Sequence, residues 1–129
     1  MTFRLLAPDL VEAIHDAILN VGELPGRARD KSLESALARV TNRLVYSLIT
    51  DVFDLAAAIA VAIARGHCFN DGNKRTAFQT MDVCLDLHGI RIAWKTADVA
   101  DMIIRAAQGL VDEPTLAEWL RIQANASTA

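Results

Sequence analysis

From Leu55 to Ala64 every residue is apolar, with alanines interleaved among Ile59, Val61 and Ile63. No side of such a run is suited to water, so it reads as a helix buried all round, with the rest of the chain packed about it. It starts beside Asp54 and is far shorter than the ~20 apolar residues that span a bilayer. The helix is therefore expected to be covered by protein rather than lipid. Hydrophobic residues make up 53 % of the chain and aromatics only 5 %, which points to a compact, alanine-rich, all-α bundle. At 129 residues the chain fits a single domain over 1–129, large enough to bury roughly two thirds of its unfolded surface without staples.

Apolar spacing divides the chain into about six helices. Pro8-Asp9 opens the first, with Leu10, Val11, Ile14, Ile18 and Leu19 on its apolar side, ending near Val21-Gly22. His15 falls about one residue off that stripe and reads as a satisfied surface or boundary histidine, with no chemistry assigned to it. Gly22 to Asp30 is a loop by its glycines, proline and arginines. Asp30 is a reasonable N-cap for a second helix through Leu33, Ala36, Leu37 and Val40. The pattern stays helical from Leu44 to Phe53, with a break or bend favoured at Thr50-Asp51. A central pair covers Asp51 to Arg65 and Asn73 to His88, the second closed by Gly89. Ile90 to Trp94 alternates briefly, as a connector or a single strand. Thr96 is expected to cap a fifth helix ending at Gly109; Glu113-Pro114 begins the last, and Asn125 to Ala129 is expected to fray.

Between the central helices lies Gly66-His67-Cys68-Phe69-Asn70-Asp71-Gly72-Asn73-Lys74-Arg75. Gly66 is suited to end the first helix in a left-handed turn, and Asp71-Gly72-Asn73 to start the second. A helix mouth leaves N–H groups unpaired and attracts anions. Lys74 and Arg75 add cations there, Gly72 lets a ligand approach the backbone, and Asp71 suits an oxygen-loving cation such as Mg²⁺. His67 has the side chain best fitted to act as a general base near neutral pH. Phe69 reads as a core plug that anchors the loop. No G-x-x-x-x-G-K-[ST] occurs, so this is not a P-loop.

A net charge of −3 argues against a chain that grips nucleic acid unaided. Cys68 and Cys84 are too few for a disulfide framework, lack zinc-ligand spacing, and read as small buried side chains in a reducing compartment. Arg4 and Pro8 interrupt the N-terminus, so a signal peptide's apolar middle is missing. A soluble, cytoplasmic protein without membrane contact is expected.

The segment His67-Cys68-Phe69-Asn70-Asp71-Gly72-Asn73-Lys74-Arg75 resembles the Fic/Doc core motif H-x-F-x-[DN]-[AG]-N-[GK]-R at every fixed position. The resemblance runs from about His15 to about Ile92, through Gly22-Glu23-Leu24-Pro25-Gly26, Arg29-Asp30, Leu33 to Arg39, and Tyr46. It implies a Fic/Doc helical bundle with the active loop between two central helices. It also implies that His67 takes the proton of an attacking hydroxyl, and that Asp71 binds Mg²⁺ on the phosphates of ATP. The N–H groups around Gly72 and Asn73 would receive phosphate oxygens, and Lys74 and Arg75 would counter developing charge. Asn70 would position the loop or touch the peptide, and Gly22 to Asp30 would form a flap beside the target.

Cys68 and Lys74, where Fic enzymes usually have Pro and Gly, resemble the Doc (death-on-curing) toxin branch; Gly72 is the Fic-like choice. The Doc likeness implies a kinase that passes the γ-phosphate of ATP to a threonine of elongation factor Tu, arresting translation. AMP transfer of the Fic type is the alternative. A non-catalytic binding module is the third reading, disfavoured because both His67 and Asp71 are present. Self-restraining Fic proteins carry [ST]-x-x-x-E-[GN], yet none of Glu12, Glu23, Glu34, Glu113 and Glu118 is followed by Gly or Asn. Restraint by a Phd-like antitoxin is what the resemblance implies, and DNA binding would then belong to that partner.

Overall fold

The computed structural model describes residues 3–128. Six helices follow in order, α1 Pro8–Ile18, α2 Leu33–Val45, α3 Val52–Gly66, α4 Asn73–Leu87, α5 Thr96–Ala107 and α6 Glu113–Thr128. Among the described residues extended backbone pairs only in an isolated antiparallel bridge between Arg27 and Phe69. The all-α expectation holds. No helix among these residues is long and apolar enough to cross a membrane.

The apolar run forms the axis of the molecule. Every residue from Leu55 to Ala64 is buried, and α2, α4, α5 and α6 all pack against α3. Its alanines let these neighbours come close, since interaxial distance follows side-chain size. Helix α1 lies outside this ring, on α4 and α2. Cys68 and Cys84 are both buried free thiols, and burial pushes the Cys84 thiol up to about 12.

Several ends differ from the sequence expectation for local reasons. Ser32, not Asp30, caps α2, its Oγ accepting the Ser35 N–H at 3.0 Å. Helix α2 stops at Val45, and Ser47 turns left-handed at φ 58°. The helix breaks here, earlier than the expected Thr50-Asp51, because Val45, Tyr46 and Leu48 face solvent while the chain turns to bring Ile49 back to the core. Asp51 then caps α3, accepting the Asp54 N–H at 2.8 Å. Lys95 precedes α5, so Thr96 is its first residue rather than its cap. Residues 90–94 are a connector, pinned where Trp94 Nε1 donates to Asp82 at 3.0 Å. Helix α6 continues through the segment expected to fray, as far as Thr128; Ala129 lies outside the described residues.

Both ends of α3 are tied to the C-terminal half of the chain. Arg65 donates to the carbonyls of Ala106 and Val111, each at 2.9 Å, satisfying acceptors at the end of α5 and in the turn after it. At the other end Arg121 of α6 bonds Asp51 at 3.0 Å and Asp54 at 2.8 Å. Burial pushes the Asp54 carboxyl up, but the N–H and hydroxyl of Thr50 together with Arg121 hold it below its ordinary value. A carboxyl depressed in this way stabilises the fold above its unfolded pKa and ceases to do so as pH falls through the folded one. Asp54→Asn is therefore expected to cost about 1–3 kcal/mol at pH 7. In denaturant titrations that gap from wild type should shrink as pH drops below about 4.

Candidate active site

The site lies where α3 hands over to α4. Helix α3 runs through Gly66, and His67 itself takes the left-handed turn at φ 50°. Gly66 was the expected left-handed residue, but close packing explains it better. A Cβ there would sit 2.9 Å from Cys68 Sγ and 3.3 Å from Ala36 of α2. A left-handed turn at a non-glycine residue costs roughly 1 kcal/mol, and it leaves the imidazole of His67 exposed, without a hydrogen-bond partner among the described residues.

Beyond it the chain dips into the core and returns. Phe69 is 2 % exposed. Asn73, the first residue of α4, closes the loop by accepting the Phe69 N–H at 3.0 Å and donating to its carbonyl at 2.8 Å. Gly72 precedes α4 in a left-handed conformation, φ 80°. The first N–H of this helix mouth used internally is that of Thr76, which donates to the Gly72 carbonyl at 2.9 Å. The N–H groups of Gly72, Asn73 and Lys74 take no partner among the described residues, as a helix start requires.

Residues 22–30 are held against this loop. Ala28 N–H donates to the Cys68 carbonyl at 2.8 Å, and Asn70 N–H to the Gly26 carbonyl at 3.1 Å. The Asn70 side chain donates to the Pro25 carbonyl at 2.9 Å. Arg27 pins the segment to the helices beside it, bonding Glu12 of α1 at 3.0 Å and Glu34 of α2 at 2.6 Å. The segment, called the flap below for its place over the loop, is thus an ordered neighbour of that loop.

His67, Asn70, Asp71, Gly72, Asn73, Lys74 and Arg75 line one open cavity of about 400 Å³, together with Ala64. Phe69, the expected anchor, lies buried beneath it. Asp71 Oδ2 accepts the Leu24 N–H at 2.7 Å, and Oδ1 keeps no partner among the described residues. No group of three or more His, Cys, Asp or Glu that could hold a metal occurs among those residues. One open carboxylate fits Mg²⁺ that arrives with phosphates, because this ion keeps its waters and takes few protein ligands.

The two cations differ. Lys74 is exposed and takes no ion-pair partner among the described residues. Arg75 donates to Glu23 of the flap and to the Ile18 carbonyl, the latter at 3.0 Å. Its bond to Glu23 raises the guanidinium pKa, and the same bond holds the Glu23 carboxyl below its ordinary value.

Sequence reasoning missed His15 and Glu23. His15 is 0 % exposed, not a boundary residue. Its ring stacks on Phe69 at 3.9 Å between centroids, and Nε2 donates to the Asp71 carbonyl at 2.7 Å. The available signal was its position one helical turn after the buried Val11. Glu23 had none, because its partner lies on a distant helix.

Comparison with known proteins gives a match to the Fic/DOC family model over residues 5–85. The chain is 38 % identical over 119 residues to "Protein kinase doc" of Escherichia phage P1, covering 92 % of this chain and 94 % of that protein. It is 33 % identical over 94 residues to "Toxin Doc" of Mycolicibacterium smegmatis, covering 71 % of this chain and 66 % of that one.

Two substitutions separate loop shape from loop chemistry. Asn73→Ala, which orphans both polar groups of Phe69, should lower stability by about 1–3 kcal/mol in chemical denaturation. His67→Gly should leave the unfolding midpoint unchanged or higher, since relief of the left-handed turn offsets glycine's unfolded-state entropy.

Proposed function

The chain belongs to the Fic/DOC family, and from that premise we propose that it is a Doc-like toxin, a protein kinase that moves the γ-phosphate of ATP to a threonine hydroxyl. The observation that carries this reading is the open cavity at the α4 mouth, whose lining combines an exposed imidazole, an open carboxylate oxygen, unpaired backbone N–H groups and an unpaired lysine.

The terminal phosphate is taken by the N–H groups of Gly72, Asn73 and Lys74, which are already oriented as donors and need no rearrangement. Lys74 supplies the free cation. Arg75 adds its charge when the phosphate competes with Glu23 for it. His67 accepts the proton of the incoming hydroxyl while that oxygen bonds to the γ-phosphorus and the bond to ADP breaks. Mg²⁺ held by Asp71 would neutralise charge on the phosphates. The Leu24 N–H fixes the direction of the Asp71 carboxylate.

Lys74 favours the kinase over AMP transfer, because a lysine in place of glycine fills space and adds charge where the inner phosphates of a transferred nucleotide would sit. "Protein kinase doc" is similar to this chain over almost its whole length, which supports the same choice. Elongation factor Tu is the proposed target, and a Phd-like antitoxin the proposed restraint, in a cytoplasmic toxin–antitoxin pair.

The test supplies Mg²⁺, purified elongation factor Tu and ATP labelled separately at the α- and γ-phosphates. Label from the γ position is expected on the target, with His67→Ala slower by about 10²–10⁴-fold. Label from the α position would indicate AMP transfer, and equal rates for the two proteins would exclude the catalytic reading.

A further inference from the structure

His15 does not line the cavity, yet it meets the loop at three residues, Phe69, Asp71 and Gly72. Its ring stacks on Phe69 at an interplanar angle of 6°. Its Nε2 donates to the carbonyl of Asp71 at 2.7 Å. A Cβ added at Gly72 would stand 3.6 Å from its ring. The side chain is fully buried, and Asp16 faces Nδ1 at 3.1 Å.

The Asp71 carbonyl and the Gly72 N–H belong to one planar peptide unit, and the chain has no cis peptide among the described residues. In a trans unit these two groups point in opposite directions. Holding the carbonyl on the imidazole therefore turns the Gly72 N–H away from it, on a residue that lines the cavity. Thr76 holds the next unit through the Gly72 carbonyl, and the Leu24 N–H holds the Asp71 carboxylate. Among the described residues, however, the imidazole makes the hydrogen bond to this unit itself, and a glycine at φ 80° reaches alternative backbone states at little cost. We propose that His15 is a positioning residue that locks the Asp71–Gly72 peptide plane, so that the Gly72 N–H is fixed as a phosphate donor.

The inference rests on the kinase reading, and its test separates the two. His15→Phe and His15→Leu remove the donor while keeping an apolar filler; His15→Gln keeps a side-chain N–H. All three are compared with wild type for thermal unfolding, for kcat and KM with ATP and the protein target, and by titrating the ¹⁵N-labelled proteins with inorganic phosphate. Losing one such donor costs about 10²–10³ in kcat; misdirecting it should cost the folded Phe and Leu variants about 10–100-fold, mostly in kcat rather than KM, with substantial recovery in Gln. The Gly72 amide resonance should move with phosphate in wild type and Gln, but not in Phe or Leu. This last readout does not depend on which nucleotide is the donor, so it stands if wild type transfers no phosphate and the kinase reading falls. The proposal is overturned if either folded apolar variant keeps wild-type kcat or a phosphate-responsive Gly72 amide, or if Gln is no better than Phe. It is equally overturned if neither apolar variant folds, since His15 would then be a buttress of the core.

Discussion

Phe69 sits in the core with its ring against His15 of α1 and both of its backbone polar groups bonded by Asn73 of α4. A polar loop between two buried helices has no ladder of its own, and its backbone groups must find partners or lose water without return. One side chain provides both. With Phe69 fixed, the residues before and after it have little freedom. His67 must cross out of α3 on one side, and Asp71-Gly72 must turn into α4 on the other. The loop is pinned between two helix ends, and the rest of the site takes its geometry from that anchor.

The flap adds a second layer of restraint. It pairs with the loop through Ala28 and Asn70, directs Asp71 through the Leu24 N–H, and occupies Arg75 through Glu23. Arg27, bonded to both Glu12 and Glu34, keeps it from drifting off α1 and α2. The consequence is a site with one cation held in reserve and one exposed. On the proposed function a phosphate would meet Lys74 and the open N–H groups first, and would reach the full charge of Arg75 only by competing with the Glu23 carboxylate.

Much of this arrangement was legible in the amino-acid sequence where the signal was local. The run from Leu55 to Ala64 admits no amphipathic placement, so its burial follows directly, and the glycine- and asparagine-rich joint before Lys74 marks a helix start. What was not legible depended on contacts made across the fold. His15 gave no sign of chemistry because its partners, Phe69 and the Asp71 carbonyl, lie on the distant loop. The same holds for Glu23 and Arg75. Gly66 misled in a different way: a glycine at a helix end usually marks the left-handed residue, but here its missing Cβ makes room for Ala36 and Cys68, and the turn passes to His67. The spacing from Leu44 to Phe53 carried a helix across residues 45–48, where Val45, Tyr46 and Leu48 are exposed and the chain turns before Ile49 returns to the core.

The central claim is that the mouth of α4, opposite the imidazole of His67, is the seat of a nucleotide's terminal phosphate. A crystal structure of the protein with Mg²⁺ and a non-hydrolysable ATP analogue tests it most directly. The account predicts terminal phosphate oxygens within hydrogen-bonding distance of the Gly72 and Asn73 N–H groups, with His67 facing the γ-phosphorus across the gap that a hydroxyl would fill. A nucleotide seated elsewhere on the molecule, with those N–H groups free of phosphate, would contradict it.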